Sequence, residues 1–229
     1  MIYLYLFFIM SKLKLVSFSV CPFVQRSIIA LNIKWIDFDI EYIDLENKPD
    51  WFDKLSPLWK VPILFIDDNT VIFESDVINE YIDEIIEPSL FPQDPLNKAW
   101  HRAWLKYSNE VLSDFSMMLF SKNNDEFEKT FNIFINKLEK LEDIVSLDWY
   151  FSSNWLSLVD CGFAVIFYRL FLFENLREDQ RFKSLKWVYA WAKNLNNMEE
   201  VKNSVWNNFY DNFSEFLKSK SSYLYNYLK

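Results

Sequence analysis

Leu13-Lys14-Leu15-Val16-Ser17-Phe18-Ser19-Val20-Cys21-Pro22-Phe23-Val24-Gln25-Arg26 is the stretch on which the fold turns. Leu13 to Phe18 suits a short strand, and Cys21-Pro22 then opens a helical stretch from Phe23 to Leu31. Proline in a first helical turn loses nothing, because that N–H would have no helical partner. Downstream, Asp37 to Ile43 alternates apolar and acidic residues, as a half-buried strand does. Asp50 to Leu55 reads as a short helix or turn. Pro62 to Ile66 and Thr70 to Phe73 read as strands joined by Asp67-Asp68-Asn69, a tight turn without glycine. Ser75 is placed to cap a helix whose Val77, Ile78, Tyr81, Ile82 and Ile85 share one face.

The order β-α-β-α-β-β-α is that of a thioredoxin-like fold. Glu87 to Gln93 carries two prolines and reads as a linker. Beyond it the periodicity is helical. Trp104, Tyr107, Val111, Phe115 and Met118 form one stripe, and Phe127, Phe131, Phe134, Leu138, Leu141 and Val145 form another. Ser157-Leu158-Val159-Asp160 is a capping-box pattern before the apolar run Cys161 to Leu172. Further helices fit Arg181 to Leu195 and Val205 to Lys218. The expected architecture is α/β then all-α: a thioredoxin-like domain over 10–86 and an all-helical domain over 94–229.

Composition narrows the function. The 229 residues are 51% hydrophobic, enough for a core, and carry a net charge of −9. Nucleic-acid binding draws on clustered Lys and Arg, and no long basic run exists, so nucleic acid and anionic membrane are poor partners. A single glycine excludes Gly-rich phosphate loops and dinucleotide fingerprints. Turns needing positive φ are expected to use Asn or Asp instead. Abundant Asn, Lys, Ile and Phe with so little Gly reads as AT-rich coding. His101, Cys21 and Cys161 are too few for a His/Cys metal cluster or a disulfide framework, which makes a reducing cytoplasm the default. His101 reads as a structural or surface histidine, and Cys161 as buried and inert. Met1 to Ile9 is apolar but lacks a basic start and is too short to span a bilayer. Met10-Ser11-Lys12 reads as the natural start.

Cys21 sits where a strand gives way to a helix. Unpaired N–H groups and the helix dipole there favour a thiolate, while burial as a small hydrophobe is the plain alternative. A dithiol oxidoreductase would carry its resolving cysteine at Val24, so any mixed disulfide on Cys21 needs an outside thiol such as glutathione. A cis bond at Val61-Pro62 would turn the Val61 backbone outward to pair with an extended peptide. Glu74 suits an ammonium, and Ser75 suits a carboxylate or serves only as a helix cap. Lys48 suits a second carboxylate or is a surface lysine.

Ser19 to Arg26, Asn47-Lys48-Pro49-Asp50-Trp51-Phe52, Val61-Pro62 and Glu74-Ser75 together resemble a glutathione S-transferase, most of all the cysteine-type omega class and related bacterial members. Ser157 to Asp160 followed by Phe163 to Leu170 resembles the capping box and core helix of that family's second domain. The resemblance implies that Cys21 forms a disulfide with glutathione, and that Phe23, Lys48, Val61, Glu74 and Ser75 contact it beside a cis-Pro62. It implies a glutathione-dependent thiol–disulfide exchange enzyme, a thioltransferase or dehydroascorbate reductase acting on a small electrophile or disulfide. It also implies a cytoplasmic homodimer without stable membrane insertion. The alternatives are a non-enzymatic regulator of the stringent-starvation type and a membrane-inserting relative like the intracellular chloride-channel proteins. Trp59 stands where the family usually has glycine, and its bulk is expected to crowd the turn.

Overall fold

The computed structural model describes residues 12–145, 149–151 and 155–228. The Met1 to Ile9 arm and the Met10 start lie outside them. Two compact units divide between Pro88 and Ser89.

In the first unit, β1 (Leu13–Ser17), α1 (Pro22–Ile33), β2 (Phe38–Tyr42), α2 (Phe52–Leu55), β3 (Ile63–Phe65), β4 (Val71–Phe73) and α3 (Ser75–Ile85) follow in the expected order. The sheet runs β2-β1-β3-β4. β1 pairs parallel to β2, and β3 pairs antiparallel to both β1 and β4. This is the thioredoxin-like mixed sheet. The inner strands bury Leu13, Leu15, Val16, Ile63 and Leu64, while edge strand β2 is only half-buried, as its alternating sequence requires. Asp67 Oδ1 closes the β3–β4 turn by accepting from the N–H groups of Asn69 and Thr70 at 2.8 and 2.7 Å. On α3, Ile78 and Ile82 are buried as expected, but Val77 is 54% exposed. The buried stripe runs Ser75, Ile78, Asn79, Ile82, Asp83, so Val77 falls one position off it.

Lys34, just past α1, is buried and reaches across to the end of α3. Its Nζ pairs with Asp83 Oδ1 at 2.7 Å and donates to the carbonyls of Asp83, Ile86 and Pro88. Those carbonyls lie at a helix end, where no helical N–H remains to serve them.

The second unit is helical: α4 (Pro95–Leu119), α5 (Asn124–Glu142), α6 (Leu158–Phe171), α7 (Glu174–Arg177), α8 (Gln180–Lys183), α9 (Lys186–Asn197), α10 (Glu199–Lys202) and α11 (Phe209–Ser219), with a final 3₁₀ turn at Tyr223–Tyr227. The stretch read as a linker ends in an anchor. Leu90 and Phe91 are buried, and the Leu90 carbonyl accepts from the Leu158 N–H. The single helix expected over Arg181 to Leu195 is broken at Ser184-Leu185, and Val205 to Lys218 is helical only from Phe209. Around α6, the Ser157 N–H and hydroxyl donate to Asp160 Oδ2, while the Phe151 N–H and Trp191 Nε1 donate to Oδ1. Burial pushes the Asp160 pKa up against these four bonds, which favour the anion. His101 is buried against Phe151 and stacks on Trp155 with ring planes 3° apart.

The one glycine is not in a turn. Gly162 lies inside α6, where a Cβ would stand 2.5 Å from Ser108 Oγ and 3.1 Å from Ser108 Cβ, so it permits the close approach of α4. Among the described residues the positive-φ positions are Trp35, Trp59, Glu74 and Ser221, not the Asn or Asp expected. Trp35 and Ser221 each follow a helix end, with Ile36 N–H bonded to Leu31 O and Ser222 N–H to Leu217 O. That six-residue closure fixes the left-handed residue whatever its side chain, so tertiary and capping geometry override local preference.

Candidate active site

Register places the candidate residues at one end of the sheet. Val16 pairs with Ile63, and Ile63 with Phe73. The C-terminal end of β1, the N-terminal end of β3 and the C-terminal end of β4 are therefore neighbours. Cys21 follows β1, Val61-Pro62 precedes β3, and Glu74-Ser75 follows β4. The C-terminal end of parallel β2 lies at the same edge and leads toward Lys48.

Cys21 is the N-cap of α1, with φ −68° and ψ 117°, and Pro22 takes the first helical position. It is 7% exposed, and its N–H donates to the Phe18 carbonyl at 3.2 Å. Its thiol thus stands at the positive end of a helix of 12 residues. Neither it nor Cys161, buried inside α6, is in a disulfide. Phe23 is exposed and stacks under the Arg26 guanidinium at 5.1 Å.

The Val61-Pro62 bond is cis. The turn before it is closed by Ser56, whose hydroxyl accepts from the Lys60 N–H at 2.9 Å and donates to the Lys60 carbonyl at 2.8 Å. Within that turn Trp59 takes φ 54° and is 61% exposed. Its bulk therefore projects into solvent, and the absence of glycine is felt in the backbone. Glu74, not Ser75, is the N-cap of α3, with φ 68°. Ser75 is the first helical residue, buried, and its hydroxyl accepts from Arg26 Nη2. Reading Ser75 as a plain cap is thus incorrect: its side chain is engaged by another helix. Lys48 is exposed, with its Nζ 5.6 Å from the Phe52 ring centre.

Sequence reasoning named Arg26 only as part of a motif. Its signal was an arginine in the mostly apolar helical stretch Val24 to Leu31, where a buried charge needs a partner.

A family model described as "Glutathione S-transferase, N-terminal domain" matches residues 20–85. Glutathione S-transferase omega-1 of Mus musculus is 32% identical over 58% of this chain, which spans 55% of that relative's length. A probable glutathione S-transferase, parC, of Nicotiana tabacum is 33% identical over 83% of this chain and 88% of its own. A solved rice structure titled GST1 in complex with glutathione superposes with a TM-score of 0.79 at 22% identity, covering 92% of this chain and 98% of that one. With the strand order, the cis-proline and a relative matched along most of its length, this chain belongs to the glutathione S-transferase family.

Proposed function

We propose that the protein is an enzyme that catalyses glutathione-dependent thiol–disulfide exchange through a Cys21–glutathione mixed disulfide. The observation that carries this is Cys21 standing as N-cap of α1 with Val24 at the fourth position, so the helix end favours a thiolate and no neighbouring thiol resolves it. The Cys21 thiolate attacks the glutathionyl sulfur of a mixed disulfide and expels the substrate thiolate. The thiolate of a second glutathione attacks the enzyme-bound disulfide, releasing oxidised glutathione and restoring Cys21. The sum is RS–SG plus GSH giving RSH plus GSSG, with electrons balanced.

Phe23, Lys48, Val61, Glu74 and Ser75 are the proposed glutathione contacts, with Pro62 holding the turn. The Val61 backbone would pair with the cysteinyl unit, Glu74 with the γ-glutamyl ammonium and Ser75 with its carboxylate. Thioltransferase activity follows directly. For dehydroascorbate the Cys21 thiolate would instead add to a carbonyl carbon, one glutathione would attack the Cys21 sulfur and release ascorbate, and a second would free Cys21 as oxidised glutathione leaves, so that dehydroascorbate plus two GSH give ascorbate plus GSSG. The omega-type relative supports the cysteine-type assignment. Among the described residues no helix is long and apolar enough to cross a membrane. A cytoplasmic homodimer accompanies the proposal.

Oxidised glutathione should add one glutathione per chain at Cys21, removable by excess thiol and detected by mass spectrometry. Cys21→Ser keeps a hydrogen-bond donor but removes the exchanging sulfur, so disulfide reduction should be lost almost completely. Full reductase activity in that variant, or an adduct confined to Cys161, would overturn the proposal.

A further inference from the structure

Arg26 is a charged side chain with 3% of its surface exposed, inside a helix whose inner face is otherwise mostly apolar. Burying a guanidinium is costly unless it is paired and hydrogen-bonded. The pairing here is directed at the candidate site. Nη2 donates to the Ser75 hydroxyl oxygen and pairs with Asp76 Oδ1 at 2.8 Å. The guanidinium carbon lies over the ring of Phe23, two positions from Cys21. One side chain therefore links the helix that carries the thiol to the first turn of α3.

Arginine only donates hydrogen bonds, whereas a serine hydroxyl has one proton and two lone pairs. By occupying a lone pair of Ser75, Arg26 leaves the hydroxyl proton for an acceptor, and its positive charge adds to that of the helix start. An anion meets a donor and a favourable charge; an ammonium meets an unfavourable charge and a hydroxyl already accepting one hydrogen bond. Asp76 offsets the charge in the free protein.

We infer that Arg26 is a positioning residue that holds Ser75 as a hydrogen-bond donor to the γ-glutamyl carboxylate, and so sets the preference for glutathione over thiols that lack this group. The inference rests on the glutathione site proposed above.

The test compares glutathione with cysteinylglycine, which keeps the thiol and glycine but lacks the γ-glutamyl group. Arg26→Lys and the charge-neutral pair Arg26→Gln/Asp76→Asn are measured below their melting temperatures. In both, KM for glutathione should rise about tenfold, the size expected for loss of a hydrogen bond to a charged group. KM for cysteinylglycine, kcat and the rate of Cys21 alkylation by iodoacetamide should stay within about twofold. In a Ser75→Ala background, Arg26→Lys should add less than a further twofold, because the two residues act as one unit. Equal losses for both thiols, additive losses with Ser75→Ala, or failure of both Arg26 variants to fold would each overturn the inference. A wild-type protein that does not prefer glutathione would instead sink the site itself.

Discussion

Lys34 and Asp83 form an ion pair at 2.7 Å in which each side chain keeps only 2% of its surface exposed. The same ammonium donates to the carbonyls of Ile86 and Pro88 at 2.5 and 2.6 Å, so a side chain from the end of α1 closes the end of α3. Deleting one partner of such a pair strands a buried charge and typically costs about 3–5 kcal/mol. Lys34→Met should therefore lower the melting temperature by roughly ten degrees, at about 2–4 °C per kcal/mol for a chain of this size. Lys34→Met/Asp83→Leu should recover part of the loss but not all, since the carbonyls stay unserved. Calorimetry showing a loss below about 1 kcal/mol for the single variant would refute this account.

Glu74 and Lys48 should differ in their effect on glutathione. Glu74 is fixed by its position as N-cap of α3, whereas Lys48 is an exposed side chain beyond β2. A charged hydrogen bond contributes about 1.5–3 kcal/mol, so Glu74→Ala should weaken glutathione tenfold or more in calorimetric titration. Lys48→Ala should cost less and fade with added salt, because an exposed ion pair is screened. Unchanged affinity in Glu74→Ala would show that the peptide lies elsewhere.

Alanine at Gly162 gains helix propensity but meets Ser108 at sub-contact distance. Overpacking costs about 1–3 kcal/mol and outweighs the gain, so Gly162→Ala should destabilise the protein. Adding Ser108→Gly should be strongly non-additive, the double variant being more stable than the two single losses summed. Denaturant melts of the four proteins complete the cycle, and simple additivity would break the proposed contact.

His101 should sensitise the helical unit to mild acid. Burial lowers its pKa from the ordinary 6.5. Above that value both folded and unfolded chains hold it neutral. As pH falls the unfolded chain takes up the proton first, and stability drains away until the pH has passed through the lower folded-state pKa. His101→Phe, which keeps a ring against Phe151 and Trp155, should flatten the fall in melting temperature as the pH drops below about 6.5. Parallel curves for wild type and variant would remove His101 as the cause.

The thioredoxin-like half was legible because its signals are local. Strand alternation, Pro22 after Cys21 and the Asp67-Asp68-Asn69 turn each specify their own conformation. The candidate site was legible as a set of residues because all follow or precede strands that meet at one edge. Arg26 with Ser75 was not, since their bond spans 49 positions and no local pattern encodes it. Val77 shares a face with Ile78 by spacing yet is exposed, because helical spacing alone cannot fix which of two adjacent faces is turned inward. The break at Ser184-Leu185 carries neither glycine nor proline, so no local signal in the sequence marks it.

The left-handed residues carry a meaning for how the chain can change. An ordinary side chain at positive φ costs about 1–2 kcal/mol relative to glycine. Trp35, Trp59, Glu74 and Ser221 all bear that cost, while the lone glycine serves helix contact. At Trp35 and Ser221 the helix-end closure imposes the conformation, so the strain there is the side chain's share of a fixed backbone geometry. At Trp35, Trp59 and Ser221 glycine would relieve the backbone at no cost to the proposed chemistry. Glu74 is the exception: the same mutation would relieve the backbone and remove the carboxylate proposed to face glutathione, so selection on function would hold the strain in place there.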